Sequence, residues 1–414
     1  MIIWIFGSVV LLLIGLRQAV LTLVAASVLL LYALYMEGHA EYAIYDLWRA
    51  LNNETLLLLP LFALTGTLMA AGESIQKLMT LFELLAGHRP AGAAMISLIA
   101  MVVAAALCGS SMMALLVFGP ALLEVMQRAS LGRYFSIGLL CAAACVGFLL
   151  PLSLAPALYS SLGSLNPGPL YVTAARVGIV LVVLLGLYVL LCTWSLAGEK
   201  TQRLAFWPTV SKALPVIVLF SGFVAAVSSP LLSITHSGAL YLLAVLLLEA
   251  TVYRSLDISK LDRLLREVAV QLGRILPLLG FGWSLGVFLR QQGLPENIDF
   301  WLGHYALDSG MFLGLANMLV LVVGLFLDGL SALAVVTPVL VPLAEGHNLA
   351  GEVFGVMVLA NLSVSYLMPP NGLILIAAMA AFRESFATVL ASVAPFIVVF
   401  WLVIVGCALV TLSV

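Results

Sequence analysis

Two short polar breaks inside long apolar runs carry the residues that could do chemistry. One reads Cys108-Gly109-Ser110-Ser111, the other Asp328-Gly329-Leu330-Ser331. In each case the next long apolar run is itself interrupted. The interruptions are Leu150-Pro151-Leu152-Ser153-Leu154-Ala155-Pro156 and Met368-Pro369-Pro370-Asn371-Gly372. Proline removes a backbone N–H and clashes with the preceding turn, so neither run continues as one helix. Inside a bilayer, broken backbone is tolerated only where it is buried or lines a cavity. Such breaks in transporters mark binding sites for ions and solutes. The chemistry indicated is therefore recognition and passage, not bond making. Asp328 is the only acidic residue at either tip. It serves an ion or substrate site, or caps the helix starting at Gly329, and the two roles are compatible. Ser110 and Ser111 either offer oxygen atoms to a ligand or allow close packing in a turn.

These residues need elements to hold them. The apolar arms flanking each tip run for only about 16 residues, short of the roughly 20 that a full span requires. A polar, glycine-containing tip between two short arms predicts a re-entrant hairpin. Hairpins are expected over 91–129 and 310–345, followed by broken helices over 134–162 and 352–382. Pro120 to Pro151 and Pro338 to Pro369 span the same 31 residues, so hairpin plus broken helix occurs twice. An internal repeat of this kind is a transporter signature.

Composition agrees. Hydrophobic residues make up 64% of the 414, charged residues only 9%, and the net charge is −2. That describes a multi-pass chain embedded in a lipid bilayer and indicates no nucleic-acid partner. No metal-binding, nucleotide-binding or hydrolase motif is present, and no paired aspartates lie inside spans, which argues against an enzyme. The five cysteines lie in apolar runs and read as small buried hydrophobes. Residues 1–36 are expected to form two short spans meeting near Arg17, and 37–55 an acidic interfacial segment. A span over 56–72 precedes an amphipathic linker, 73–90. Further spans are expected at 168–197, 213–229, 238–253 and 275–290, with a last one at 387–414. Residues 254–274 read as an interfacial amphipathic helix, with Leu261, Leu264, Leu265 and Val268 on one face. With each hairpin counted as no crossing and loop 198–212 inside, 14 of the 17 Lys and Arg fall on the cytoplasmic side. This satisfies the positive-inside rule. Both termini then lie outside, and the two repeats are inverted. Two inverted hairpins meeting near the midplane predict alternating access.

The sequence resembles the large membrane subunit of tripartite ATP-independent periplasmic (TRAP) transporters, within the wider ion-transporter superfamily. The stretches that carry the resemblance are PLFALTGTLMAAG (60–72), LAGHRPAGAAM (85–95), CGSSMMA (108–114) and SGFVAAVSSPLLSITHSGALY (221–241). GLFLDGLSALAVVTPVLVP (324–342) and FGVMVLANLSVSYLMPPNGLIL (354–375) complete the ordered set. The first broken helix departs from the pattern, with the single Pro151 where the family has a proline pair. The resemblance implies an all-α polytopic fold with an inverted repeat, two re-entrant hairpins, two broken transmembrane helices and an elevator-type motion. Its implied organisation is scaffold helices and linker over 1–90 and the first half of a transport domain over 91–162. Scaffold helices with the arm 254–274 cover 163–290, the second transport half 291–386, and a terminal helix 387–414. It further implies a bacterial inner-membrane permease that works with a small four-helix membrane subunit and a periplasmic substrate-binding protein. The cargo would be an organic anion, a carboxylate, imported with Na⁺ as coupling ion and no other cofactor. A stand-alone carrier of the same superfamily, needing no binding protein, is the alternative.

On that reading, sodium, a hard cation, takes oxygen ligands from unwound carbonyls and half-helix ends. Candidates are Ser110, Ser111 and the backbone around Gly147 and Leu150 in the first repeat. In the second they are Gly324, Asp328, Gly329, Ser331 and the backbone around Met368. Substrate candidates are Ser153, Asn361, Pro370, Asn371 and Arg176. Asn361 is a polar residue in an apolar run, where an unpaired amide would be costly. Arg176 lies inside a span, where an arginine often marks function, although it could also snorkel or meet the small subunit. No protonatable residue sits at either break, which favours sodium over a proton relay.

Overall fold

The computed structural model describes residues 20–36, 39, 41–52, 54–86, 89–150, 153–194, 206–228, 232–293, 309–370 and 372–413. The expected connection near Arg17 and most of the loop 198–212 lie outside the described residues. The described elements are helical, as a bilayer demands, because a helix satisfies its own backbone.

Two sets of helices can be told apart by what they pack against. The first set frames the molecule. It comprises α1 (Val20–Tyr35), α2 (Glu41–Leu51), α3 (Leu58–Ala71), α4 (Ser74–Ala86), α10 (Phe206–Ser228), α11 (Ile234–Leu247) and α12 (Ile258–Gln291). Here α12 packs on α1, α2 and α3, α10 on α4 and α11, and α11 on α3. The second set holds the hairpins and broken helices. Helices α5 (Pro90–Cys108) and α6 (Ser111–Arg128) form the first pair, α13 (Ser309–Phe326) and α14 (Gly329–Gly346) the second. The first broken helix is α7 (Arg133–Val146) and α8 (Leu154–Gly163), the second α15 (Gly351–Ser365) and α16 (Leu373–Phe382). Helices α9 (Pro167–Thr193) and α17 (Phe386–Ser413) follow the two broken helices. Both pack against this second set: α9 on α5, α8, α15 and α17, and α17 on α7 and α15. The organisation implied by the resemblance places α9 with the scaffold and α17 by itself.

The two halves interlock. The second arm of each pair lies on the second half of the other half's broken helix, α14 on α8 and α6 on α16. The following helices cross over too, α9 onto α15 and α17 onto α7. Small residues make this possible. A Cβ at Gly138 would fall 2.0 Å from the Ser392 carbonyl oxygen, and one at Gly147 2.4 Å from Ala105. Close backbone approach of this kind is how helices gain contact where lipid offers no hydrophobic driving force.

Three expectations need correction. The arms are longer than 16 residues: α5 has 19 and α13 and α14 have 18 each, and all three are long and apolar enough to cross a membrane. The helices recruit flanking residues such as Pro90 and Ser309, so arm length does not separate re-entry from crossing. Second, 254–274 and 275–290 are not two elements. They form one 34-residue helix, α12. The loss of charge near residue 274 changes the helix's surroundings but not its hydrogen bonding, and Pro277 is carried inside it. Asp257 caps its start, and the N–H of Lys260 together with the Ser259 hydroxyl holds the Asp257 carboxyl below the usual range. Third, the acidic segment 37–55 contains a helix, α2, docked on α12. Its Asp46 is buried and accepts from the Tyr32 hydroxyl at 2.7 Å.

The span and linker at 56–90 form an elbow, with α3 and α4 bent by 59° at a short break. Glu249, fully buried in a π-turn at the end of α11, holds that elbow. Its carboxylate accepts from the N–H of Glu73 (3.0 Å), the N–H of Ser74 (2.9 Å), the Ser74 hydroxyl (2.5 Å) and the Ser255 hydroxyl. An anion at a helix N-terminus is well placed against the macrodipole, and full satisfaction is what lets it stay buried.

Candidate functional site

Each tip is a two-residue link between contacting helices. At the first, Gly109 takes a left-handed conformation (φ 63°), which glycine adopts without penalty, and turns the chain out of α5. Ser110 then caps α6, its hydroxyl accepting from the N–H of Met113 at 3.4 Å. At the second, Asp328 caps α14, accepting from the N–H of Ser331 (3.1 Å) and from its hydroxyl (2.5 Å). The cap predicted for Asp328 is therefore formed.

The breaks complete the arrangement. After α7 the chain tightens into a 3₁₀ turn, Gly147–Leu149, and becomes extended at Leu150. Ser153 restarts the helix as the cap of α8, accepting from the N–H of Ala155 at 3.3 Å. After α15 the chain turns through Tyr366–Pro370, and the N–H groups of Gly372 and Ile374 return to the carbonyls of Met368 and Tyr366. Phe148 and Tyr366, one from each break, meet edge to face with centroids 5.3 Å apart. Gly329 lies directly beneath them. A Cβ there would fall 2.8 Å from the Tyr366 hydroxyl and 2.9 Å from Phe148.

Tips and breaks enclose one cavity of about 190 Å³. Gly109, Ser110, Ser111 and Met112 line it from the first tip, and Asp328 and Leu330 from the second. Phe148 and Ser153 to Ala155 come from the first break, and Tyr366, Leu373 and Ile374 from the second. Gln271 reaches it from α12. An adjoining chamber of about 420 Å³ opens on the side of the first tip, bounded by α3 and by Leu264, Glu267 and Gln271 of α12. Four half-helix N-termini, those of α6, α8, α14 and α16, end at the cavity wall, beside the C-terminal ends of α5 and α15. N-terminal ends attract anions and C-terminal ends cations. Asp328 is the charged residue among the cavity's described lining. The Ser111 hydroxyl, on a residue only 6% exposed, has no hydrogen-bond partner among the described residues.

Of the residues expected from sequence, Ser110, Ser111, Ser153 and Asp328 line the cavity together. Gly329 and Ser331 support Asp328 from behind. Gly147, Leu150, Gly324 and Met368 do not line it. Gly147 and Gly324 are close-approach positions, against Ala105 and Ser365. The carbonyls of Gly147, Leu150 and Met368 already accept from Leu150, Ser153 and Gly372. Asn361 packs between α13 and α15, donating to the Asn317 side-chain oxygen at 2.7 Å and the Asn317 carbonyl at 3.0 Å. Pro370 is exposed and Asn371 lies outside the described residues. Arg176 sits on the exposed face of α9, away from the cavity. Phe148, Tyr366 and Gln271 were missed. A tyrosine two residues before Met368-Pro369 was the available signal for the second.

Fold and cavity together define a polytopic helical membrane protein of the transporter class. By its sequence, the chain belongs to the family described as tripartite ATP-independent periplasmic transporter, DctM component, whose model matches residues 5–412. It is similar to the ectoine TRAP transporter large permease protein TeaC of Halomonas elongata, 24% identical over 87% of this chain and 85% of that one. The sialic acid TRAP transporter large permease protein SiaM of Vibrio cholerae is 25% identical, with 88% and 86% covered. The C4-dicarboxylate TRAP transporter large permease protein DctM of Pseudomonas aeruginosa is 24% identical, with 79% and 77% covered. Among solved structures, the YdaH transporter of Alcanivorax borkumensis shares the fold at a TM-score of 0.63 and 16% identity, covering 90% of this chain and 87% of its own. The relatives are permease subunits of transporters, not enzymes.

Proposed function

We propose that this chain is the permease subunit that imports an organic anion, a carboxylate, delivered by a periplasmic substrate-binding protein and coupled to sodium. A small four-helix membrane subunit completes the assembly in the bacterial inner membrane, with both termini periplasmic. The observation that carries the reading is the single cavity formed by both tips and both breaks. Its convergent helix N-termini suit a carboxylate. Asp328, Ser110 and Ser111 offer hard oxygen atoms, and the Ser111 hydroxyl, without a partner among the described residues, is what a ligand would complete. The interlocked halves support an inverted repeat with re-entrant hairpins. The grouping of the framing helices, which meet the second set chiefly where α3 and α4 contact α5 and α12 contacts α14, supports an elevator-type motion of the second set past the first. The driving force is adequate, since each positive charge moved inward down 100 mV contributes about 2.3 kcal/mol.

The geometry supports the following mechanism. Sodium binding neutralises Asp328 and draws the two tips together. The carboxylate then settles against the half-helix N-termini. The α8 and α16 ends hold it, and Phe148 and Tyr366 limit its size. Uptake by proteoliposomes holding this chain and its small-subunit partner tests this. Radiolabelled carboxylates are offered with and without a sodium gradient and the binding protein. Uptake that needs both is expected. Uptake by the membrane chains alone would instead identify a stand-alone carrier.

A further inference from the structure

Arg176 is exposed on α9 and has no hydrogen-bond or ion-pair partner among the described residues. Its helix runs 27 residues from Pro167 to Thr193. Arg176 therefore lies about 13 Å from the start of α9 and about 6 Å from its middle, at 1.5 Å per residue. A bare guanidinium at that depth is expensive, and intramembrane arginines are as a rule paired. No counter-charge for it is found among the described residues, so the guanidinium reaches toward the membrane surface for one.

Beside it runs a groove of about 380 Å³ between α9, α15 and α17. Thr173, Val177, Val180 and Leu184 form its α9 wall, and no charged residue lines it. The positions repeat at i, i+4, i+7 and i+11, which makes one straight stripe. The stripe is about 16 Å long, close to the roughly 15 Å hydrocarbon depth of a single leaflet. Arg176 lies about 60° round the helix from Thr173, on the flank of the stripe and near one end of it. Val353 lies three residues into α15 and Val410 three residues before the end of α17. Both therefore approach a membrane surface, as Thr173 does at the start of α9. The groove thus leads from a helix-end region with a free cation beside it into the apolar interior.

We propose that this groove is a binding site for one anionic phospholipid, its phosphate on Arg176 and one acyl chain along the stripe. Length, apolar lining and charge each fit that ligand. A lone Arg beside an apolar surface suits a partner helix less well. Such a helix would have to bring a buried carboxylate of its own.

Native mass spectrometry of the complete permease complex, extracted and supplied with equal phosphatidylglycerol and phosphatidylcholine, tests the proposal. One retained lipid per chain is expected, with phosphatidylglycerol favoured. Arg176→Gln should reduce that preference about fivefold, the equivalent of about 1 kcal/mol for one cation facing an anionic headgroup. Gly406 supplies the second variant. It lines the groove, and a Cβ added there meets nothing within 4 Å. Gly406→Leu therefore fills the channel without a clash and improves helix propensity. It should abolish retention of both lipids while the complex stays folded. An unchanged lipid preference in Arg176→Gln would overturn the proposal. So would undiminished retention in Gly406→Leu, displacement of the lipid by inorganic phosphate, or a photo-cross-link from position 176 to another protein chain.

Discussion

The two tips do the same geometric job with different chemistry. The second carries its own charge. Asp328 is held by two bonds from Ser331, and Phe148 and Tyr366 roof the glycine that follows. The first carries none. Ser110 caps α6, Ser111 is buried with no partner for its hydroxyl among the described residues, and Met112 and Met113 are 39% and 45% exposed. The second tip is therefore internally bonded, while the first keeps a hydroxyl without a partner among the described residues. A buried hydroxyl without a partner costs about 1–3 kcal/mol. On the proposed function, a ligand at the first tip would offset that cost.

Perturbing each tip tests the contrast. Gly329→Val should have the largest effect. Its side chain would drive into Tyr366 and Phe148, and uptake should fall about 100-fold, equivalent to about 3 kcal/mol of overpacking. Uptake at matched expression measures it, and near-normal transport would mean that the roof is loose. Asp328→Ala removes the cavity's charge and should reduce sodium-dependent uptake about 30-fold, in keeping with about 2 kcal/mol for a charged hydrogen-bonding group. A well-folded variant with unchanged sodium dependence would end the ion assignment. At the first tip, Gly109→Ala strains a left-handed residue and should lower thermal stability by about 1–2 kcal/mol. Ser111→Ala should do least: apparent sodium affinity falls about threefold while the sodium-free protein becomes more stable, by up to about 1 kcal/mol. Lower stability without any change in sodium affinity would show that Ser111 only packs.

Much of this contrast is legible in the primary structure. A glycine and a polar residue stand out inside an apolar run, so Ser110, Ser111, Asp328 and Ser153 could be found without coordinates. Phe148 and Tyr366 could not. An aromatic among aliphatics carries no distinguishing mark, and their meeting joins segments more than 200 residues apart. Asn361 is hidden for a related reason: its amide N–H groups meet Asn317 on a neighbouring helix, while its side-chain oxygen has no partner among the described residues. The continuous α12 was hidden because a change of polarity resembles a boundary, although helical hydrogen bonding is indifferent to it. That continuity is also what carries Gln271 from an amphipathic segment to the cavity wall.

The elbow between α3 and α4 has a mechanical consequence. One carboxylate from a different helix gathers four donors there, two on the backbone itself. Such a joint has a single angle instead of a range of them, and α4 meets α5 at a constant tilt. The corner thus gives α5 a fixed surface to pack on. Under the proposed elevator motion, a corner that does not yield would hold the sliding body to one track.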